Sequence, residues 1–146
     1  KSHRKFINLL LYTPTTQLGF RRASRNFLEL TKFKLSVLNS LVTVSAFALY
    51  PSAVSGVPLF LSSLALSMST QALNQCIELP YDKLMVRTSQ RPLVVGAFSR
   101  RFAIACGMGL GALGMYGLSL YNLKTMLIGG VIWAGYLLVY TPMKRT

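Results

Sequence analysis

Long apolar runs separated by short charged ones organise this chain. A helix that crosses a bilayer needs about 20 mostly apolar residues. Four runs approach that length, over 35–50, 58–79, 102–121 and 123–141. The first is short, but residues 31–34 extend it into the headgroups, with Lys32 and Lys34 reaching outward on aliphatic stems. Pro58 suits the first turn of the second run, and Pro142 ends the fourth. The pattern predicts an all-α membrane protein with four transmembrane helices. Residues 1–30 form a basic tail, residues 31–146 the four-helix segment, and residues 80–101 a polar loop within it.

Two runs carry internal detail. Ser62, Ser63, Ser67, Ser69, Thr70, Gln71, Asn74 and Gln75 interrupt the second. Facing lipid they would be costly, so they are expected to face the bundle interior or a polar cavity. The third holds Ala103, Gly107 and Gly111 at four-residue spacing, with Gly114 and Gly117 beyond. Small residues at that spacing let helix backbones approach closely in lipid. The expected role is packing, because a phosphate-binding loop would not lie inside an apolar helix.

Composition supports the membrane reading. Of 146 residues, 52% are hydrophobic and only 13% charged, about half the charged share of a soluble domain. The formal charge of +13 does not point to nucleic acid. The cations are separated by long uncharged runs instead of gathering on one water-facing surface. An even number of spans puts fifteen of the sixteen cations on one side and leaves only Lys124 on the other. That bias matches the positive-inside rule and predicts both termini on the same side, the matrix side in a mitochondrion. Residues 1–25 contain no acid but several Arg, Lys, Ser and Thr. Such a stretch suits a mitochondrial targeting region or an amphipathic segment lying on an anionic membrane, for which Phe6, Ile7, Leu9, Leu10 and Leu11 supply an apolar side. Cys76 and Cys106 have no metal-type spacing and are expected to be small buried residues. His3 stands alone in the basic tail.

The candidate chemistry lies in "NQCIELPYDKLMVRTSQRPL", residues 74–93. It contains two of the three acidic residues of the chain, Glu78 and Asp82; the third is Glu29. Asn74, Glu78 and Asp82 are spaced i, i+4, i+8 and share one helical face. Pro80 should kink or end the helix nearby. Two roles are open to the carboxylates. They could neutralise Lys83, Arg87 and Arg91 at the membrane surface, as ion pairs worth about 0–1 kcal/mol. Alternatively, two carboxylates and an amide oxygen could hold Mg²⁺, which is typically bound by one or two carboxylates plus substrate phosphates. Arginines alongside would then grip phosphate oxygens in forked pairs.

Asn74, Glu78 and Asp82 match N-x-x-x-[DE]-x-x-x-D, the first acidic motif of the UbiA superfamily of intramembrane prenyltransferases. The longer string, with Met85, Arg87, Thr88 and "RPLV" over 91–94, resembles its protoheme IX farnesyltransferase (haem O synthase) branch, in the eukaryotic, mitochondrial form. "ELTKFKLSVLNSLVTVSA" (29–46) resembles the opening of the first helix of that family, and "YTPMKR" (140–145) the end of the fourth. The resemblance covers residues 27–146 and implies transfer of a farnesyl group from farnesyl diphosphate to haem B, a step toward haem A for cytochrome c oxidase. It implies Mg²⁺ held by Glu78, Asp82 and Asn74, diphosphate held by Arg87, Arg91 and, less directly, Lys83, and a site in the mitochondrial inner membrane.

Three positions depart from the family pattern. Ser89 stands for a lysine, Val95 for an arginine, and Phe33 for a frequent proline. The family also has about nine helices and a second acidic motif, and this sequence has no further Asp or Glu to supply one. The resemblance therefore implies part of an active unit, inactive without a second chain or segment. The alternative is an inactive remnant kept as a structural subunit of an inner-membrane respiratory complex. A channel or carrier would also use intramembrane carboxylates, but would not require "RPL".

Overall fold

A computed structural model describes residues 16–49 and 55–143. These form helices α1 (Thr16–Leu30), α2 (Phe33–Ala48), α3 (Gly56–Asp82), α4 (Arg100–Ser119) and α5 (Leu123–Gly135). A π-helical turn, Tyr136–Tyr140, continues α5 into the single turn α6, Thr141–Met143. No strand occurs among the described residues. His3 and the apolar cluster at 6–11 lie outside them, as do Lys144 and Arg145.

Polar residues start the helices by accepting from amides that lack a partner in the first turn. The Ser55 hydroxyl accepts from the Val57 N–H at 3.3 Å. The Ser99 hydroxyl accepts from Phe102 at 3.1 Å, and the Asn122 amide oxygen from Lys124 at 3.1 Å. Three stretches are long and apolar enough to cross a membrane: Gly56–Asp82, Arg100–Ser119 and Leu123–Tyr140. α2 is apolar but has only 16 residues, roughly 24 Å at the helical rise.

α3 is the axis of the bundle. It packs most extensively on α4 and next on α2. Ala103, Gly107, Gly111 and Gly114 are all buried in the α4 face. A methyl placed on Gly107 would lie 2.8 Å from the Leu73 side chain, and one on Gly111 2.9 Å from the Ser69 hydroxyl. The stripe of small residues therefore sets the α3–α4 separation, as its spacing predicts. Ser62, Ser69, Gln71, Asn74 and Gln75 turn inward and are buried. The outer sides show Leu113, Val131 and Leu138, as lipid contact requires.

Below this interface, Leu30 of α1, Ala72 and Cys76 of α3, Leu93 of the 83–99 segment and Ala103 of α4 form one buried cluster, with Leu79 and Phe98 packed against it. Cys76 is buried as expected, whereas Cys106 is half-buried. Gln75 fastens α1 to α3: its amide N–H donates to the carbonyls of Glu29 (3.1 Å) and Leu30 (2.9 Å). These are end-of-helix carbonyls without intrahelical partners. The cluster anchors Leu93, and thereby the 83–99 segment.

Candidate functional site

α3 continues through Pro80 to Asp82, and Lys83 caps it. Proline cannot donate to the Cys76 carbonyl, and the helix stops two residues later. Asp82 thus stays in helical register with Asn74 and Glu78. All three are buried, at 3%, 9% and 5% exposure for Asn74, Glu78 and Asp82. Those values decide against a solvated surface ion pair.

The 83–99 segment folds back over this helix end in successive turns. Its backbone bonds include Arg91 N–H to Thr88 O (3.0 Å) and Val94 N–H to Arg91 O (2.9 Å). Gly96 takes φ +79°, which a glycine adopts without a Cβ penalty. Ala97 can then donate to Pro92 O at 2.8 Å. The Thr88 hydroxyl donates to the Asp82 carbonyl at 2.9 Å and ties the segment to α3. Pro92 and Leu93 are buried, so the backbone beside Arg91 is held on both sides.

This fixing delivers one guanidinium nitrogen to both carboxylates. Arg91 Nη1 donates to Glu78 Oε2 at 3.2 Å and also to Asp82 Oδ2. The two acidic groups therefore converge on a single point. A hard divalent cation needs the same convergence of anionic oxygens, so the donor set fits Mg²⁺. Among the described residues no group of three His, Cys, Asp or Glu gathers, so two carboxylates are the acidic ligands this segment offers.

Asn74 is engaged from the far end of the chain. The Thr141 hydroxyl lies 2.9 Å from Asn74 Oδ1 and 2.9 Å from the Tyr136 carbonyl. A hydroxyl has one proton. With that proton on Tyr136 O, a turned-over Asn74 amide would donate to Thr141 and leave Oδ1 open to a cation. The π turn accomplishes this placement: the Thr141 N–H also reaches Tyr136 O, five residues back. Removing the hydroxyl in Thr141→Val should cost about 1 kcal/mol of stability in a detergent melt.

Lys83 and Arg87 are exposed, and among the described residues neither forms an ion pair with a carboxylate. Of the expected site residues, the structure thus gathers Glu78, Asp82 and Arg91, holds Asn74 one turn up the helix against Thr141, and leaves Lys83 and Arg87 exposed. Gln71 faces the interior as its sequence position implies, whereas the sequence assigns no site role to Thr88 or Thr141. Thr88 and Thr141 lie inside the motif strings, where a hydroxyl beside a carboxylate or amide was the available signal.

One turn above Asn74 the same face of α3 opens on a cavity of about 370 Å³, lined by α2, α3, α4 and α5. Leu59, Leu66, Leu118, Ile128 and Ile132 line it together with the shorter polar side chains of Asn39, Thr43, Ser63 and Thr70; Gln71 and Tyr136 border its lower end. Trp133 lines it too, with its indole N–H donating to the Ser69 hydroxyl at 3.0 Å. From Gln71 to Glu78 is about 10 Å along the helix. An apolar recess thus ends near a buried anionic pair.

The UbiA prenyltransferase family model matches residues 38–146. A protoheme IX farnesyltransferase of Geobacter sulfurreducens is 38% identical over 84% of this chain and 46% of its own length. A mitochondrial protoheme IX farnesyltransferase of Emericella nidulans is 33% identical over 90% of this chain and 30% of its own. The chain thus spans less than half the length of these relatives. The apo structure of a UbiA homolog from Aeropyrum pernix superposes with a TM-score of 0.60 at 28% identity, over 84% of this chain and 42% of that one. With that family match over most of its length and an all-helical, membrane-spanning fold like that of a solved homolog, the chain belongs to the UbiA prenyltransferase family.

Proposed function

We propose that this chain forms the first-acidic-motif half of a haem O synthase-like enzyme, which transfers a farnesyl group from farnesyl diphosphate to haem B. The observation that carries the reading is the buried convergence of Glu78 and Asp82 on one point, with an apolar cavity whose lower border at Gln71 lies about 10 Å along the same helix from Glu78. The cavity volume is within the range of small-molecule sites. The relatives are named for farnesyl transfer, and paired carboxylates beside an arginine suit a diphosphate head on such an apolar group.

In this reading Glu78 and Asp82 hold Mg²⁺, with Asn74 as third ligand or as orienter of a carboxylate. The metal neutralises charge that develops on the departing diphosphate. Arg91, Arg87 and Lys83 bind its remaining oxygens, where fixed cations assist the same charge development. The helices keep water from the allylic centre until the acceptor reacts. A second acidic motif comes from another chain or segment. The charge bias and the mitochondrial relatives support an inner-membrane location with both termini facing the matrix.

The test is incorporation of labelled farnesyl diphosphate into haem B, with Mg²⁺, by the chain co-reconstituted with the second half of the G. sulfurreducens relative. Transfer should require both parts. A quinone precursor that accepts the label in place of haem would reassign the acceptor, and no transfer to either would refute the reading. One observation favours a second reading. Arg91 closes both carboxylates into an ion cluster, which would also serve a structural subunit of a respiratory complex. Co-purification in such a complex, with no transfer, would select it.

A further inference from the structure

Arg91 stands where a cation would stand. Its Nη1 contacts Glu78 and Asp82 together, so an ion entering between those oxygens must first displace a guanidinium. The Arg91 side chain keeps 21% of its surface exposed against 12% and 7% for the Glu78 and Asp82 side chains. The carboxylates are thus fixed and enclosed, while the guanidinium has the open side. Its backbone is pinned by the Thr88 and Val94 bonds, so what can move is the side chain, by rotation about its own bonds. Lys83 and Arg87, on the same segment, are exposed.

We infer that Arg91 makes the site admit a divalent cation only together with its diphosphate. This rests on the metal and diphosphate reading of Glu78 and Asp82. A bare divalent ion must break the Arg91 contacts and leave the guanidinium beside it, with repulsion between like charges. A diphosphate offers Arg91 forked oxygen acceptors of higher charge than a carboxylate. It draws the guanidinium outward and leaves both carboxylates to the metal. Arg91 thereby discriminates against free metal and against a diphosphate arriving without one, and each ligand tightens the other by the same factor.

The probes are Mn²⁺, read by the EPR signal of the free ion, and inorganic pyrophosphate, with the full chain in lipid nanodiscs. Wild-type protein should bind Mn²⁺ weakly alone and at least ~10-fold more tightly with pyrophosphate, after correction for Mn²⁺–pyrophosphate in solution, within the usual range of coupling between sites. Arg91→Gln should bind Mn²⁺ alone at least ~10-fold more tightly than wild type and lose most of the coupling. Arg91→Lys keeps the charge without the fork and serves if the glutamine variant does not fold; its coupling should be reduced. Wild-type Mn²⁺ binding that pyrophosphate leaves unchanged, at a site lost in Glu78→Gln/Asp82→Asn, would overturn the inference alone. Absence of Mn²⁺ binding in every form, or binding that survives the double substitution, would overturn the metal reading beneath it.

Discussion

Asp82→Asn is expected to reduce farnesyl transfer by the reconstituted unit at least ~100-fold, the scale on which removal of a charge-stabilising group acts. Asparagine keeps the shape and loses the anionic oxygen that Arg91 contacts. The same change disturbs a buried ion cluster, so stability must be measured beside activity. Removing one partner of a buried pair is strongly destabilising, but Glu78 still holds Arg91 at 3.2 Å, which should limit the loss to about 1–3 kcal/mol. Asp82→Asn/Arg91→Gln separates the two effects. The double variant should recover stability lost in the single one, since no guanidinium is left short of a partner, and should recover no transfer. Activity near wild type in Asp82→Asn would remove the carboxylate from the chemistry.

Gly114→Leu is expected to abolish the α3–α4 association, and Gly114→Ala to destabilise the chain by about 1–3 kcal/mol, the cost of overpacking a tight core. A methyl on Gly114 would sit 2.8 Å from the Leu66 amide nitrogen and 2.9 Å from the Ser62 carbonyl oxygen. Both are main-chain atoms of the facing helix and cannot rotate away. Gly109, on the same helix, has nothing within 4 Å of its added methyl. Gly109→Ala should therefore be neutral or slightly stabilising, through helix propensity. Thermal melts in one detergent compare the three, and equal melting of Gly114→Ala and Gly109→Ala would refute the close approach.

Much of this was legible because it is local. Four-residue spacing placed Asn74, Glu78 and Asp82 on one face and the α4 glycines on another, and a helix preserves such spacing. The inward turn of Ser62, Ser69 and Gln71 followed from what lipid will not solvate. Arg91 was read either as a diphosphate ligand or as one of three cations paired with the carboxylates at the membrane surface; the structure forms the pair, buried and, of those three, with Arg91. Its bridge to both carboxylates spans nine and thirteen residues and depends on how the 83–99 turns rest on Leu93 and Phe98, which no periodicity encodes. Thr141 lies 67 residues from Asn74, and a π turn is invisible to a 3.6-residue pattern. Residues 16–30 drew attention for their cations, and in the structure they form a helix whose end is held by Gln75.

The unequal reach of α2 and α3 bears on the surrounding lipid. The described α2 falls about 6 Å short of a 30 Å hydrocarbon layer, and the 27-residue α3 overshoots it by about 10 Å. A bilayer meets such mismatch by thinning beside the short element and by tilting the long one. The thinned annulus would border the wall of the recess that α2 contributes. Short-chain phospholipids should therefore be enriched around that flank, and the assembly should hold together better in thin bilayers than in thick ones.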